Sequence, residues 1–251
     1  MKIQTILATI ATGAITTLAS QAAITFNITN IDTSNTAGAS AAAGGSAAVS
    51  ISPASFDGSA TGQYTISVTG LDVDGVGGTD DSLSLLVNVT PAGGTIRDSA
   101  GDLGVNGAGA GRISGTGETL TFSFVSGSTV LGSPAPNTVG TFVFEGFNAV
   151  QLSQMTADDD TSTTGDVGFY QLGAGPQTNI TDDANTTFAN STDDLTVGYI
   201  SGYDGTNQGN DGFFINDIQL RVTADFAVVP EPSSAALLGL GGLALVLRRR
   251  K

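Results

Sequence analysis

The chain has 251 residues, with 23 acids against 8 bases and a net charge of −15. Between the two terminal segments only Arg97, Arg112 and Arg221 are basic, which argues against nucleic acid and anionic lipid as partners of that region. Cys, His and Trp are absent, so disulfides, thiolate nucleophiles, histidine-based triads and tryptophan sugar platforms are excluded, while 35 Gly and only 12% charged residues suit a β-rich extracellular protein.

The N-terminus opens with Lys2, an apolar run from Ile3 to Leu18, and Ser20 and Ala22 at the −3 and −1 positions of a signal-peptidase site. This order predicts a secretory signal peptide, a helix over residues 1–22, cut after Ala22. Residues 23–229 then read as one extracellular domain. Ile24, Phe26 and Ile28 alternate with polar residues and predict a strand. Thr33 to Ala48 is almost wholly Ala, Ser, Gly and Asn and reads as a long loop. Alternation returns at Val49 and Ile51, at Tyr64, Ile66 and Val68, and at Leu83, Leu85, Val87 and Val89, with Pro91 closing that strand. Gly93 to Gly117 reads as a Gly-rich connection. Leu120, Phe122 and Phe124 predict the next strand, and a turn at Gly132 to Asn137 leads to Thr141–Phe147, with Val150 and Leu152 as a short strand beyond. The acid run Asp158 to Asp160 marks a loop. Val167 to Leu172 pairs, Gly173 to Asp194 is a polar loop, Leu195, Val197 and Tyr199 form a strand, and Phe214 to Val222 forms the last.

Nine or ten short strands of period two, without an internal helix, predict an all-β fold: a single antiparallel β-sandwich of jelly-roll type. Ala227 to Val229 link it to the C-terminal segment.

That segment runs through Pro230, Glu231 and Pro232, a polar step at Ser233 and Ser234, an uncharged apolar run over residues 235–247, and the cations Arg248, Arg249, Arg250 and Lys251. Proline cannot continue a helix, so residues 230–232 form an extended peptide. The apolar run predicts a transmembrane helix with its basic end cytoplasmic. From Ser233 to Leu247 it would rise about 22 Å, short of a hydrocarbon core of about 30 Å, and bilayer thinning with snorkelling of the terminal cations closes the difference.

These parts, in this order, resemble the PEP-CTERM sorting signal of exopolysaccharide-producing bacteria. The resemblance implies recognition and processing by a membrane-embedded exosortase, with Pro230, Glu231 and Pro232 as the sorting motif and residues 248–251 as the membrane stop. It implies export, an inner-membrane-tethered precursor, and a final place at the cell surface or in the extracellular matrix, with exopolysaccharide as an eventual partner. The functional expectation is a surface or matrix protein without catalytic activity. The alternative is a carbohydrate-binding module or degenerate glycosidase acting on secreted polysaccharide.

The remaining side chains are weighed against that expectation. Glycoside hydrolysis needs two carboxylates, and Glu118 and Glu145 are the only glutamates outside the sorting motif. Both read as strand-end charges, Glu118 as a solvated one. Calcium needs clustered oxygens. Asp72 and Asp74 precede Gly75, with Asp80 and Asp81 close behind, but Val76 occupies the fifth position where an EF-hand loop needs an oxygen, and no glutamate closes it. Asp217, in FFINDIQLRV, is the preferred candidate for a structural calcium, because the segment is similar to the closing strand of jelly-roll carbohydrate-binding modules. Tyr203, with Asn207 and Asp211, is the exposed aromatic candidate for sugar; Tyr64 and Tyr199 sit at alternating strand positions and belong to the core.

Overall fold

The computed structural model describes residues 23–29, 38–41, 48–52, 57–99, 102–107, 111–134, 136–155, 166–201 and 212–228. Among them every regular element is a strand. In chain order these are β1 (Ile24–Thr29), β2 (Gly38–Ala41), β3 (Ala48–Ser52), β4 (Gly62–Leu71), β5 (Asp81–Ala92), β6 (Thr95–Ser99) and β7 (Asp102–Asn106). There follow β8 (Thr119–Val130), β9 (Thr138–Ser153), β10 (Val167–Leu172), β11 (Thr178–Ile180), β12 (Thr186–Ser191), β13 (Leu195–Ser201) and β14 (Phe214–Val228).

They form two seven-stranded antiparallel sheets. One runs β11-β10-β13-β8-β5-β4-β3; the other runs β12-β9-β14-β1-β2, with the β6–β7 hairpin attached to β14 through β7. The alternation that defines the layers is plainest in β5. Asp81, Leu83, Leu85, Val87 and Val89 are buried, while the residues between them are half-exposed. Branched and aromatic residues at every second position suit a pleated ribbon with one face in a core. Buried side chains of both sheets form one cluster, from Ile66, Leu85 and Phe122 on one side to Phe147, Ile218 and Leu220 on the other. Aromatic contacts cross between the layers. Phe124 of β8 stacks on Phe144 of β9 with centroids 4.2 Å apart, and Tyr170 of β10 stacks on Phe188 of β12 at 4.6 Å. Tyr64 and Tyr199 are core residues, as their strand positions require.

Three stretches expected as connections carry strands instead. β2 lies inside the Thr33–Ala48 loop and pairs with β1. β6 and β7 form a hairpin inside Gly93–Gly117, and β11 and β12 lie inside Gly173–Asp194. Each is short and pairs through backbone groups, which small and polar residues supply as well as apolar ones. Two boundaries also move. β5 continues past Pro91 to Ala92, and β9 joins Thr141–Phe147 with Val150 and Leu152 in one bulged strand. β14 continues to Val228, so Ala227 and Val228 belong to the sheet rather than to a linker.

The predicted signal helix of residues 1–22 and the apolar segment of residues 235–247 lie outside the described residues. Among the described residues no helix is long and apolar enough to cross a membrane.

Candidate functional site

The loop between β4 and β5 is set up by a bulge. The β4–β5 register shifts between Thr69 and Leu71, where Gly70 takes φ 79°. An L side chain there would be strained. The bulge turns Leu71 inward opposite Asp81, and Leu71 and Val73 anchor the loop in the core. Gly75, Gly77 and Gly78, all at positive φ, then fold the exposed tip back to Asp81.

Asp81 is the first residue of β5 and faces inward, 1% exposed. Its Oδ2 accepts the Val73 N–H at 2.5 Å and the Asp74 N–H at 3.4 Å, and its Oδ1 accepts the Gly132 N–H at 2.9 Å. One carboxylate thus ties the loop to the turn after β8. Asp74 is 7% exposed, and its Oδ1 accepts the Val76 N–H at 2.9 Å, two residues on. Its Oδ2, and Oδ1 of Asp72, are buried without a hydrogen-bond partner. One oxygen from each of Asp72, Asp74 and Asp81 falls within 4.8 Å of the other two. Asp80, also near in sequence, is exposed and stands outside this group.

Asp217 sits elsewhere. It lies at a β14 bulge opposite Gln151, is 3% exposed, and accepts the Gln219 side-chain N–H at 2.8 Å. Among the described residues it does not belong to a group of three carboxylates within reach of one ion.

The two glutamates are both engaged. Glu118 is 3% exposed rather than solvated, because its Oε2 accepts the Ser114 and Gly115 N–H groups, each at 2.8 Å. Those donors come from the Gly-rich connection just before it, which single-residue polarity does not reveal. Glu145 lies inside β9, not at a strand end, with Arg221 of β14 beside it at 2.6 Å and the Thr223 hydroxyl donating to it. Tyr203, Asn207 and Asp211, the acid run Asp158–Asp160, the cleavage position Ala22, Pro230, Glu231 and Pro232, and Arg248, Arg249, Arg250 and Lys251 all lie outside the described residues.

No curated protein and no solved structure matches the chain. Residues 228–251 match the family model of the PEP-CTERM protein-sorting motif. The match begins on Val228, the last residue of β14, and contains the Pro-Glu-Pro peptide, the apolar run and the basic end. Such a motif indicates a secreted, membrane-transiting precursor with an exosortase as its processing partner. This chain therefore carries a PEP-CTERM protein-sorting motif at residues 228–251, behind described residues whose regular elements are all β-strands.

Proposed function

We propose that the chain is a non-catalytic cell-surface or extracellular-matrix protein of an exopolysaccharide-producing bacterium, delivered by its C-terminal signal. Residues 1–22 direct export and are removed after Ala22. The domain of residues 23–229 folds outside as a jelly-roll-like sandwich, a reading supported by β1 and β14, the first and last strands, pairing side by side. The apolar run of residues 235–247 holds the precursor in the inner membrane, and an exosortase then releases it to the surface, where the polysaccharide matrix is its partner.

The observation that carries this reading is the match of residues 228–251 to the sorting motif. Arg248 to Lys251 keep the far end cytoplasmic, since moving four cations through hydrocarbon is prohibitive. Pro230 and Pro232 hold Glu231 in an extended peptide available to an enzyme. The non-catalytic reading draws support from how the two glutamates are held. Two backbone N–H groups occupy Glu118, and Arg221 faces Glu145, so neither stands ready as a glycosidase acid or base.

Specificity and membrane positioning are separable in such a tail, and the test uses that. Glu231→Ala should leave export and membrane insertion intact but block processing, so that uncleaved chain accumulates in the membrane fraction of the producing cell. Release of the variant with the wild-type C-terminus would reduce the tail to a plain anchor and overturn the proposal.

A further inference from the structure

We propose that Asp72, Asp74 and Asp81 bind one calcium ion, which locks the β4–β5 loop to the turn after β8. Two oxygens that share an ion at about 2.4 Å each lie at most about 4.8 Å apart. The three carboxylates meet that condition pairwise. Independently of the clustering, the site carries unmet acceptors. Asp74 is 7% exposed yet its Oδ2 has no donor, and Oδ1 of Asp72 is buried in the same condition. Buried carboxylate oxygens without donors are costly, and like charges this close repel, unless a cation stands between them.

Among the described residues no side chain supplies that cation. The three arginines of the described residues are engaged elsewhere: Arg97 with Asp57, Arg112 with Gln154 and the Phe214 ring, Arg221 with Glu145. The donors are oxygens only, since the chain has neither His nor Cys, which selects a hard ion over zinc or copper. A loop turned by three positive-φ glycines offers irregular geometry, with carbonyls and water left to complete the shell. That suits calcium, which accepts six to eight ligands, better than magnesium, which demands a near-ideal octahedron. Asp81 keeps its three backbone N–H bonds while binding, because two carboxylate oxygens provide about four acceptor sites.

The test uses the full chain purified in detergent and stripped with EDTA. Calorimetric titration with calcium chloride should show one ion per chain, and saturating calcium should raise the melting temperature by several degrees, because it binds only the folded state. Magnesium should bind at least tenfold more weakly. Asp74→Asn keeps an oxygen for the Val76 N–H, so its melting temperature in EDTA should match wild type while its calcium affinity falls at least tenfold. Asp72→Asn, at a partly exposed position, should show the same loss and serves should the Asp74 variant not fold. Absence of both heat and melting shift in the wild type overturns the site. So does calcium binding by both Asn variants at wild-type affinity, which would put the ion elsewhere.

Discussion

Glu118 illustrates how single residues in this chain are fixed by backbone that carries no side chains of note. Its carboxylate receives two N–H bonds from Ser114 and Gly115, and the walls around it are glycine. A Cβ on Gly107 would collide with Glu118 Oε1 and stand 2.7 Å from the Gly93 carbonyl oxygen. Gly93 is at φ 81°, and a Cβ there would press 2.8 Å from Glu118 Cγ. The Gly-rich connection is thus a mould for one buried acid. Glu118→Ala strands both N–H groups and should destabilise the domain by about 2–4 kcal/mol. Gly107→Ala should cost about 1–3 kcal/mol through overpacking. Because the added methyl gains room once the carboxylate is gone, the double variant should lose less than the sum of the singles, by about 0.5 kcal/mol or more. Denaturant melts of the four proteins measure this; strict additivity would mean that the two positions do not share a site.

At the scale of elements, legibility in the sequence followed the length of the buried face. β4, β5, β8, β13 and β14 alternate because one face of each lies in the core, and period-two patterning records that face directly. β6, β7, β11 and β12 are only three to six residues long; Ile96, Leu103, Val105 and Ile180 are buried, but at most two such core positions per strand among Thr, Asn, Asp, Ser and Gly are too few to set a period. The acidic group was legible as a cluster of aspartates between residues 72 and 81, but not which of them come together. Asp72 and Asp74 stand out beside Gly75, but a continuous EF-hand loop fails at Val76 and lacks a closing glutamate, and the third carboxylate of the group, Asp81, is the first residue of the next strand. Only the Gly70 bulge, which sets Leu71 opposite Asp81, brings it round. Unequal pairing also predicts unequal stability. β14 has β9 along one side and β1 with β7 along the other, whereas β11 pairs with β10 over three residues and β12 joins β9 through a broken register. Hydrogen exchange should therefore be slowest in β14, where opening approaches global unfolding, and faster by at least a hundredfold in β11 and β12. Uniform protection across all of them would contradict this ordering.

On the scale of the whole molecule, the register places both ends of the domain together. Ile24 at the start of β1 pairs with Ala224, near the end of β14, and Val228 pairs with Thr138 at the start of β9. The turn before Thr138 follows β8, whose last residue Val130 pairs with Ser82, next to Asp81. The chain's entry, its exit to the sorting motif and the three-aspartate loop therefore share one end of the sandwich. On the proposed route this end faces the membrane, with the signal peptide and the C-terminal anchor leaving from neighbouring strands about 5 Å apart. A chain still attached at both sides can then fold without strain, and neither cleavage is a precondition for closing the sheet. Blocking both, with Ala22→Phe against signal peptidase and Glu231→Ala against the exosortase, should leave a doubly tethered precursor. Proteolysis of it in spheroplasts should leave a resistant core of the same size as that of the singly tethered chain. A doubly tethered chain that is digested while the singly tethered one resists would mean that release at one end must precede folding, and that the two ends do not emerge side by side.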